Sequence, residues 1–547
     1  MLGDSATQLV SKAIKKHGKS ENIDFEIFES DYNQIDFQIF DTNSELYKQE
    51  PEFVYLFKST QKLLYKFQDT PLKERTQFAE KYIEAVEDQI ETIASNISTT
   101  IICNNFYEIN DSVFGNFSSK NNNSFLFILR KINVLLAELA QGCPNLFIVD
   151  LCTLQNQLGQ ALFIDNRMEI MATMALSIDG TSALAGALVQ IISAIKGSFK
   201  KCLILDLDNT LWGGVIGDDG MENIEIGELG LGKAFTNIQR WAKELKQRGI
   251  VLAICSKNTE AIAKEPFHQH PDMILKLDDI AVFVANWNTK VDNIHHIQKV
   301  LNIGFDSMVF IDDNPFERNM VRENIKGITV PELPEDPTEY LSYLQSLNLF
   351  ETASLSKADS YRTKQYQNEA KRVEVKASFA NENDFLASLD MKCKVEGANV
   401  FSIPRIAQLT QRSNQFNLRT KRYTDQQIIK MNESNEFEIF TFFLSDKFGD
   451  HGLVSLIILE KREASIFIDT WIMSCRVLRR GLEQFVLNQI ITFASENKYS
   501  TIMGEYLPTN KNKLVENHFT EMGFTFENNI YKLEVESYKT KKSHIQH

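Results

Sequence analysis

The chain has 547 residues, 43% of them hydrophobic and 24% charged, and carries a formal net charge of −15. That length exceeds what one core can serve and predicts about three or four domains. The acidic balance argues against sequence-independent binding to nucleic acid or to an anionic membrane, both of which require a basic face, and leaves room for local basic pockets.

Gly3-Asp4-Ser5 opens the chain as a strand-to-helix turn that could present a serine nucleophile. No charged n-region with a following apolar stretch is seen, so no signal peptide is expected. Strand-like runs follow at Phe53–Phe57, Ile101–Asn105 and Leu146–Asp150, alternating with helix-period stretches at Pro71–Ala94 and Ser124–Ala140. This alternation predicts a doubly wound α/β unit. It resembles the SGNH-hydrolase fold, but a serine nucleophile needs a base. No histidine occurs between His17 and His268, and the D-x-x-H block is missing. A non-hydrolytic role is expected. The asparagine-rich run Ser118–Ser124 reads as a surface loop. The Ala-rich run Thr181–Ile195 reads as a buried helix too short to span a bilayer, so no membrane span is expected. Seven cysteines, at 103, 143, 152, 202, 255, 393 and 475, form no C-x-x-C pair. Neither a metal cluster nor a disulfide framework is predicted, and a cytoplasmic location suits them.

The centre of the chain carries the strongest signal. The apolar run Cys202–Leu205 delivers Asp206-Leu207-Asp208-Asn209-Thr210, and a second run, Val251–Cys255, ends at Ser256-Lys257-Asn258. Lys290 closes Asn286-Trp287-Asn288-Thr289-Lys290 ahead of a helix, and Met308–Ile311 ends in Asp312-Asp313-Asn314-Pro315. Acids and phosphate-binding groups at the C-terminal ends of buried strands are where open α/β sheets place their chemistry. The order resembles the haloacid dehalogenase (HAD) superfamily of phosphotransferases. The resemblance makes Asp206 the nucleophile toward phosphorus and Asp208 the general acid and base. Ser256, Lys257, Asn258 and Lys290 would hold the phosphoryl group. Asp206, Asp312 and Asp313, with the backbone carbonyl of Asp208, would hold Mg²⁺ in an oxygen-rich site. The intervals between motifs are too short for a large cap, so the site is expected to be open. The loop Trp212–Gly220 would be a small flap, with Asp218 and Asp219 as solvated acids.

From Asp336 to Ser388 the chain turns helical and charged, and Tyr361, Arg362, Tyr366 and Arg372 read as one face of a linker helix. The polar segment Thr410–Tyr423, including Asn414 and Asn417, reads either as a site for an anionic group or as a solvated loop. Two strand-like runs, Leu453–Leu459 and Ser465–Met473, lead into Ser474-Cys475-Arg476-Val477-Leu478-Arg479-Arg480-Gly481 and a helix. This part resembles the GNAT acyltransferase fold, in which an R/Q-x-x-G-x-G/A turn and a helix N-terminus bind a pyrophosphate. Arg476 and Gly481 match that pattern. Arg479 stands where its first glycine belongs, a side chain that could obstruct close phosphate approach and puts ordinary coenzyme A binding in question.

The fold class is therefore multidomain α/β. An SGNH-like flavodoxin-type unit is expected at 1–197, a capless Rossmann-like HAD phosphatase domain at 198–350, a helical linker at 351–390 and a GNAT-like domain at 391–547. The combined motifs Lys201–Gly217, Cys255–Asn258, Ile311–Pro315 and Ser474–Leu478 resemble the FkbH-like family, HAD subfamily IIIC proteins with a GNAT-like C-terminal part. The resemblance implies removal of phosphate from a phosphorylated three-carbon acyl donor and loading of the glyceryl unit onto the phosphopantetheine arm of an acyl carrier protein. It makes Cys475 the thiol that carries the acyl group; read from the residues themselves, Arg476, Arg479 and Arg480 lie close in sequence and would favour the thiolate, and His451 is the nearest candidate base. Without the resemblance, Cys475 reads as a structural cysteine at a strand end. Other relatives belong to surface-polysaccharide biosynthesis, and the alternative reading is a phosphatase acting on a phosphorylated sugar there.

Overall fold

The computed structural model describes residues 1–355, 361–376 and 379–547, the side chains of Val373, Glu374, Arg412 and Cys475 excepted. The chain divides into two compact units, Met1–Ala194 and Ile195–His547.

In the first unit β1 (Leu2–Gly3), β2 (Phe53–Phe57), β3 (Thr100–Asn104) and β4 (Leu146–Val149) form a parallel sheet in that order. An extended segment lies on the outer edge of β1. The Met1 nitrogen donates to the Phe28 carbonyl at 2.6 Å and Ser30 N–H donates to the Met1 carbonyl at 3.1 Å. Counting that segment second gives the doubly wound order 2-1-3-4-5. Helix α1 (Gln8–Ser20) and helix α2 (Ile178–Ile195) contribute Val10, Ile14, Leu184, Leu188 and Ile192 to the core on one face. Helix α2 is longer than the sequence suggests. At 18 residues it is the one described helix long and apolar enough to cross a membrane, but its i, i+4 apolar stripe is buried against this sheet. Asp4 follows β1 and accepts from Ser59 N–H at 2.9 Å. The Ser5 hydroxyl is buried without a partner, while His17 sits on α1 with its Nε2 3.1 Å from Ser182 Oγ.

The second unit contains two sheets. The phosphatase-like sheet is parallel, β7-β6-β5-β8, built from β5 (Cys202–Leu205), β6 (Val251–Ser256), β7 (Ile280–Ala285) and β8 (Met308–Ile311). Thr329 adds a bridge outside β8. Every residue of β5 and β8 is fully buried, as a parallel sheet covered on both faces requires. Helix α3 (Gly232–Gln247) packs on one face, and α4 (Lys290–Leu301) and α5 (Pro315–Asn324) on the other.

The C-terminal sheet runs β14-β15-β13-β12-β11-β10-β9. Strands β9 (Lys392–Gly397), β10 (Phe437–Asp446), β11 (Gly449–Lys461) and β12 (Ser465–Met473) are antiparallel neighbours. β13 (Thr501–Gly504) lies parallel to β12, and β14 (Thr525–Glu527) and β15 (Ile530–Glu534) complete the sheet. β12 and β13 pair only from Ser465 to Ile468 and then diverge. The exposed edge of β12 is taken by the segment Phe416–Leu418: Met473 N–H donates to the Phe416 carbonyl at 3.2 Å. This divergence, with the helix Leu482–Glu496 entering after β12, matches the GNAT-like arrangement expected from the sequence. Numbered in chain order, the linker supplies α6 (Arg362–Lys376), the sheet carries α7 (Ile403–Arg412) and α8 (Asp425–Glu433), and α9 is Leu482–Glu496.

Linker helix α6 is bound to this sheet by a buried ionic cluster. Arg372 makes two 2.8 Å bonds to Asp446, and Arg480 makes bonds of 2.6 and 2.7 Å to Glu369. The six described cysteines are free thiols.

His518 lies among Phe416 and Trp471, its ring centroid 4.8 and 4.5 Å from theirs, with Nε2 unpartnered. Burial lowers its pKa to about 3. Below pH 6.5 the unfolded chain binds a proton that the folded chain refuses, so stability is lost as pH falls from 6.5 toward 3. The expected contribution is about 1.4 kcal/mol per pH unit in that window. Unfolding midpoints of the wild type and His518→Phe between pH 7.5 and 5.5 check it: the variant should show the shallower slope.

Candidate active site

β5 and β8 end side by side, and their parallel register puts Asp206 and Asp312 at adjacent strand ends. One oxygen each of Asp206, Asp312 and Asp313 lies within 4.8 Å of the others. Lys290, the first residue of α4, reaches between them, 2.8 Å from Asp206 Oδ2 and bonded to Asp312 Oδ2. Three carboxylates against one ammonium leave a formal charge of −2, with Asp206, Asp312 and Lys290 buried and Asp313 half-buried. Burial alone would lower the Lys290 pKa, but Asp206 and Asp312 hold it above its ordinary value, so it stays charged. Burial and the Asp206 charge push Asp312 up to about 7 and Asp313 to about 6. The remaining oxygen of Asp206, Oδ1, is buried with no hydrogen-bond partner. One orphaned oxygen and gathered negative charge are what a divalent cation would satisfy.

Asp208 is held apart from that group. Its Oδ1 accepts from Trp212 Nε1 at 2.9 Å and Ile216 N–H at 3.0 Å, and its Oδ2 accepts from Asn258 Nδ2 at 3.2 Å. Burial raises its pKa. The chain reverses between Asp208 and Trp212 because Asn209 adopts φ +52°, a left-handed conformation that asparagine tolerates, and its Oδ1 accepts from Gly214 N–H. Gly214 must be glycine: at φ +88°, a Cβ would lie 2.7 Å from Asp219 Oδ2. Asp219 is engaged inside the flap, accepting from Val215 N–H at 2.7 Å. Thr210 Oγ1 accepts from Asp313 N–H, and Arg318 donates to the carbonyls of Asp312 and Asp313, which fixes the turn after β8. Ser256 and Asn258 are buried at the end of β6. Lys257 points elsewhere, with its ammonium 2.5 Å from Glu317 on α5.

The orienting roles of Trp212, Thr210 and Arg318 are absent from the motif reading. Trp212 lies four residues after Asp208, and only the turn brings its indole back.

In the C-terminal domain Cys475 opens the one-turn helix Cys475–Val477, and its side chain lies outside the described residues. Arg479 takes φ +61°, and its N–H donates to Glu483 Oε1 at 3.0 Å. A carboxylate thus occupies a turn N–H that a pyrophosphate would need. His451 is buried, with Nε2 3.0 Å from Asp446; burial lowers its pKa, which keeps it neutral. Burial opposes ionisation of Asp446, yet His451 and Arg372 hold it well below the usual carboxylate range.

In the polar segment Thr410–Tyr423, the described cations beyond α7 are engaged. Asp469 receives Arg419, Lys421 and Tyr423, and Arg422 bonds the carbonyls of Thr410 and Gln411. Asn417 is buried, accepting from Thr420 N–H and donating to the Ser413 carbonyl. Asn414 donates to the Gly197 carbonyl and borders a cavity with Arg476. Arg362 and Tyr366, which read as plain linker positions, border it too.

The family described as "FkbH, N-terminal domain" matches residues 1–193. The crystal structure of the N-terminal part of protein BF1531 from Bacteroides fragilis, containing its phosphatase domain in complex with Mg, is 50% identical to this chain. The match covers 64% of this chain and 93% of that one, with a TM-score of 0.63. The chain belongs to the FkbH-like family. Its central domain is accordingly a HAD-type phosphatase domain. The FkbH-like chain is also similar over 26% of its length to the ribosomal-protein-S18-alanine N-acetyltransferase of Escherichia coli, at 13% identity, 94% coverage of that chain and a TM-score of 0.22. A spermidine/spermine N-acetyltransferase of Vibrio cholerae gives 13% identity, 27% and 96% coverage and a TM-score of 0.22. No curated protein matches.

The buried ammonium gives a direct test of the cluster. Lys290→Met leaves Asp206 and Asp312 facing each other unpaired and is expected to cost roughly 3–5 kcal/mol in metal-free buffer. Added Mg²⁺ should then raise its unfolding midpoint by more than it raises that of the wild type. Equal shifts in thermal melts with EDTA and with Mg²⁺ would count against the cluster as a cation site.

Proposed function

We propose that this FkbH-like protein is a Mg²⁺-dependent phosphatase coupled to acyl transfer. It removes phosphate from a phosphorylated three-carbon acyl donor and loads the acyl group through Cys475 onto the phosphopantetheine arm of an acyl carrier protein. The observation that carries the phosphatase half is the buried Asp206–Lys290–Asp312–Asp313 cluster with Asp208 held beside it.

Asp206, Asp312 and Asp313, with the Asp208 backbone carbonyl, form a hard-oxygen donor set that fits Mg²⁺. When bound, Mg²⁺ supplies Lewis-acid stabilisation of charge on the phosphoryl oxygens. An oxygen of Asp206 attacks phosphorus, forming the aspartyl-phosphate as the bond to the leaving oxygen breaks. Asp208, whose raised pKa favours a protonated start, gives its proton to that oxygen. As a carboxylate it then takes a proton from the water that cleaves the aspartyl-phosphate, so phosphate leaves and Asp206 is restored. Trp212, Ile216 and Asn258 keep the Asp208 carboxyl in place through both steps. Ser256 and Lys290 hold the phosphoryl oxygens.

The acyl half rests on the family and on the turn at Cys475. Attack of its thiolate on an acyl phosphate forms the thioester and expels phosphate; the carrier thiol then takes the acyl group and frees Cys475. Glu483 on the Arg479 N–H favours an acyl donor other than coenzyme A. A reducing cytoplasm suits the free thiols of the described cysteines.

The experiment is intact-protein mass spectrometry after mixing the protein with Mg²⁺ and freshly generated 1,3-bisphosphoglycerate, with and without a phosphopantetheinylated carrier. A glyceryl-sized adduct that moves to the carrier supports loading. No adduct, with brisk phosphate release from other phosphoesters, would replace this reading with a phosphatase of surface-polysaccharide synthesis.

A further inference from the structure

A cavity of about 450 Å³ lies between the C-terminal domain and the phosphatase sheet, at the N-terminal ends of β5 and β8. Asp206 and Asp312 stand at the opposite ends of those same strands, so this cavity is separate from the aspartate centre. Among the described residues, Lys201, Arg362, Arg405, Arg476 and Lys511 border it, against the single carboxylate of Asp306. In a chain of net charge −15, that is a strong local excess of positive charge. Arg476 is only 6% exposed, and its Nε has no hydrogen-bond partner. Its guanidinium stacks 5.8 Å from the Tyr366 ring centroid, and Nη2 makes one long bond, 3.5 Å, to the His451 carbonyl. A buried guanidinium with unused donors costs free energy unless an anion completes it.

We propose that this cavity is a second phosphate-binding site, taking the phosphate of a small phosphomonoester. Guanidinium forks match phosphate oxygens with paired bonds, and three arginines border the space. The volume falls in the range of organic-ligand pockets and exceeds what inorganic phosphate alone needs. Tyr366, Leu409, Phe416 and Met473 supply an apolar side for the carbon part of the ligand. Ser474 and Arg476 border the cavity on either side of Cys475 in sequence, which sets the bound ester near that turn. The site stands on its own lining and does not depend on the thioester reading.

The test is isothermal titration calorimetry on the full chain carrying Asp206→Asn, in EDTA, with inorganic phosphate in one arm and glycerol 3-phosphate in the other. One saturable site per chain is expected, tighter for glycerol 3-phosphate and weakened by added salt. Arg476→Gln should raise Kd about tenfold or more, since a bond to a charged group is worth about 1.5–3 kcal/mol. Lys511→Glu, an exposed change that sets a second carboxylate beside Asp306, should weaken binding in the same sense without threatening the fold. No saturable binding would overturn the proposal. So would a Kd unmoved by both cavity variants, or binding abolished by Lys290→Met in a chain that remains folded, because the anion would then sit at the aspartate centre.

Discussion

Asp206→Asn is expected to leave the chain folded and to cut Mg²⁺-dependent hydrolysis of a simple phosphomonoester by about a thousandfold or more. The amide retains the size of the carboxylate and one hydrogen-bond acceptor for Lys290, so the packing at the end of β5 survives. What it loses is the nucleophile, and with it the covalent route that divides the reaction into two easier steps. Asp208→Asn should behave differently. It preserves the nucleophile but removes the proton carrier, a loss of about 10²–10⁴-fold. With a leaving group that needs no proton, it should still release a first equivalent and then stall at the aspartyl-phosphate. Rapid-quench measurement of product against enzyme concentration separates the two variants. Wild-type rates in Asp206→Asn would sink the covalent mechanism.

Cys475→Ala is expected to abolish transfer of the glyceryl unit to the carrier while phosphate release at the Asp206 centre continues. The two centres draw on different elements: the aspartates stand at the ends of β5 and β8, whereas Cys475 opens the turn after β12. Removing one sulfur there takes nothing from the phosphatase sheet. Mass spectra of the carrier report the first effect and a phosphate assay the second. Unchanged carrier loading in Cys475→Ala would remove the assigned thioester, and loss of both activities together would mean that the centres are coupled.

The phosphatase domain was legible because its information is local. Each motif is an apolar run with its acid, serine or lysine within a few residues, and parallel pairing gathers those strand ends automatically. The geometry around Asp208 was less so, since Trp212 reaches it only through the left-handed turn at Asn209. The pairing of Arg419 and Lys421 was illegible for a different reason. Their counter-charge, Asp469, lies about fifty residues away on β12, and no spacing rule links the two. Arg372 and Asp446 are separated by 74 positions and form a buried pair that the linker sequence does not announce. The cavity was the least visible feature, because Lys201, Arg362, Arg405, Arg476 and Lys511 come from five separate stretches.

Centres at opposite ends of the same short strands share no reaction chamber. A four-residue strand spans about 13 Å, and β5 and β8 are both packed solid. On the proposed transfer through Cys475, a molecule released at the aspartate pole has no path along these buried strands and would travel through the surrounding water or on a carrier's tether. Transit by water is open to theft: an excess of a second enzyme that consumes the released compound would lower the yield of loaded carrier in proportion to its activity. A tethered passenger would be immune.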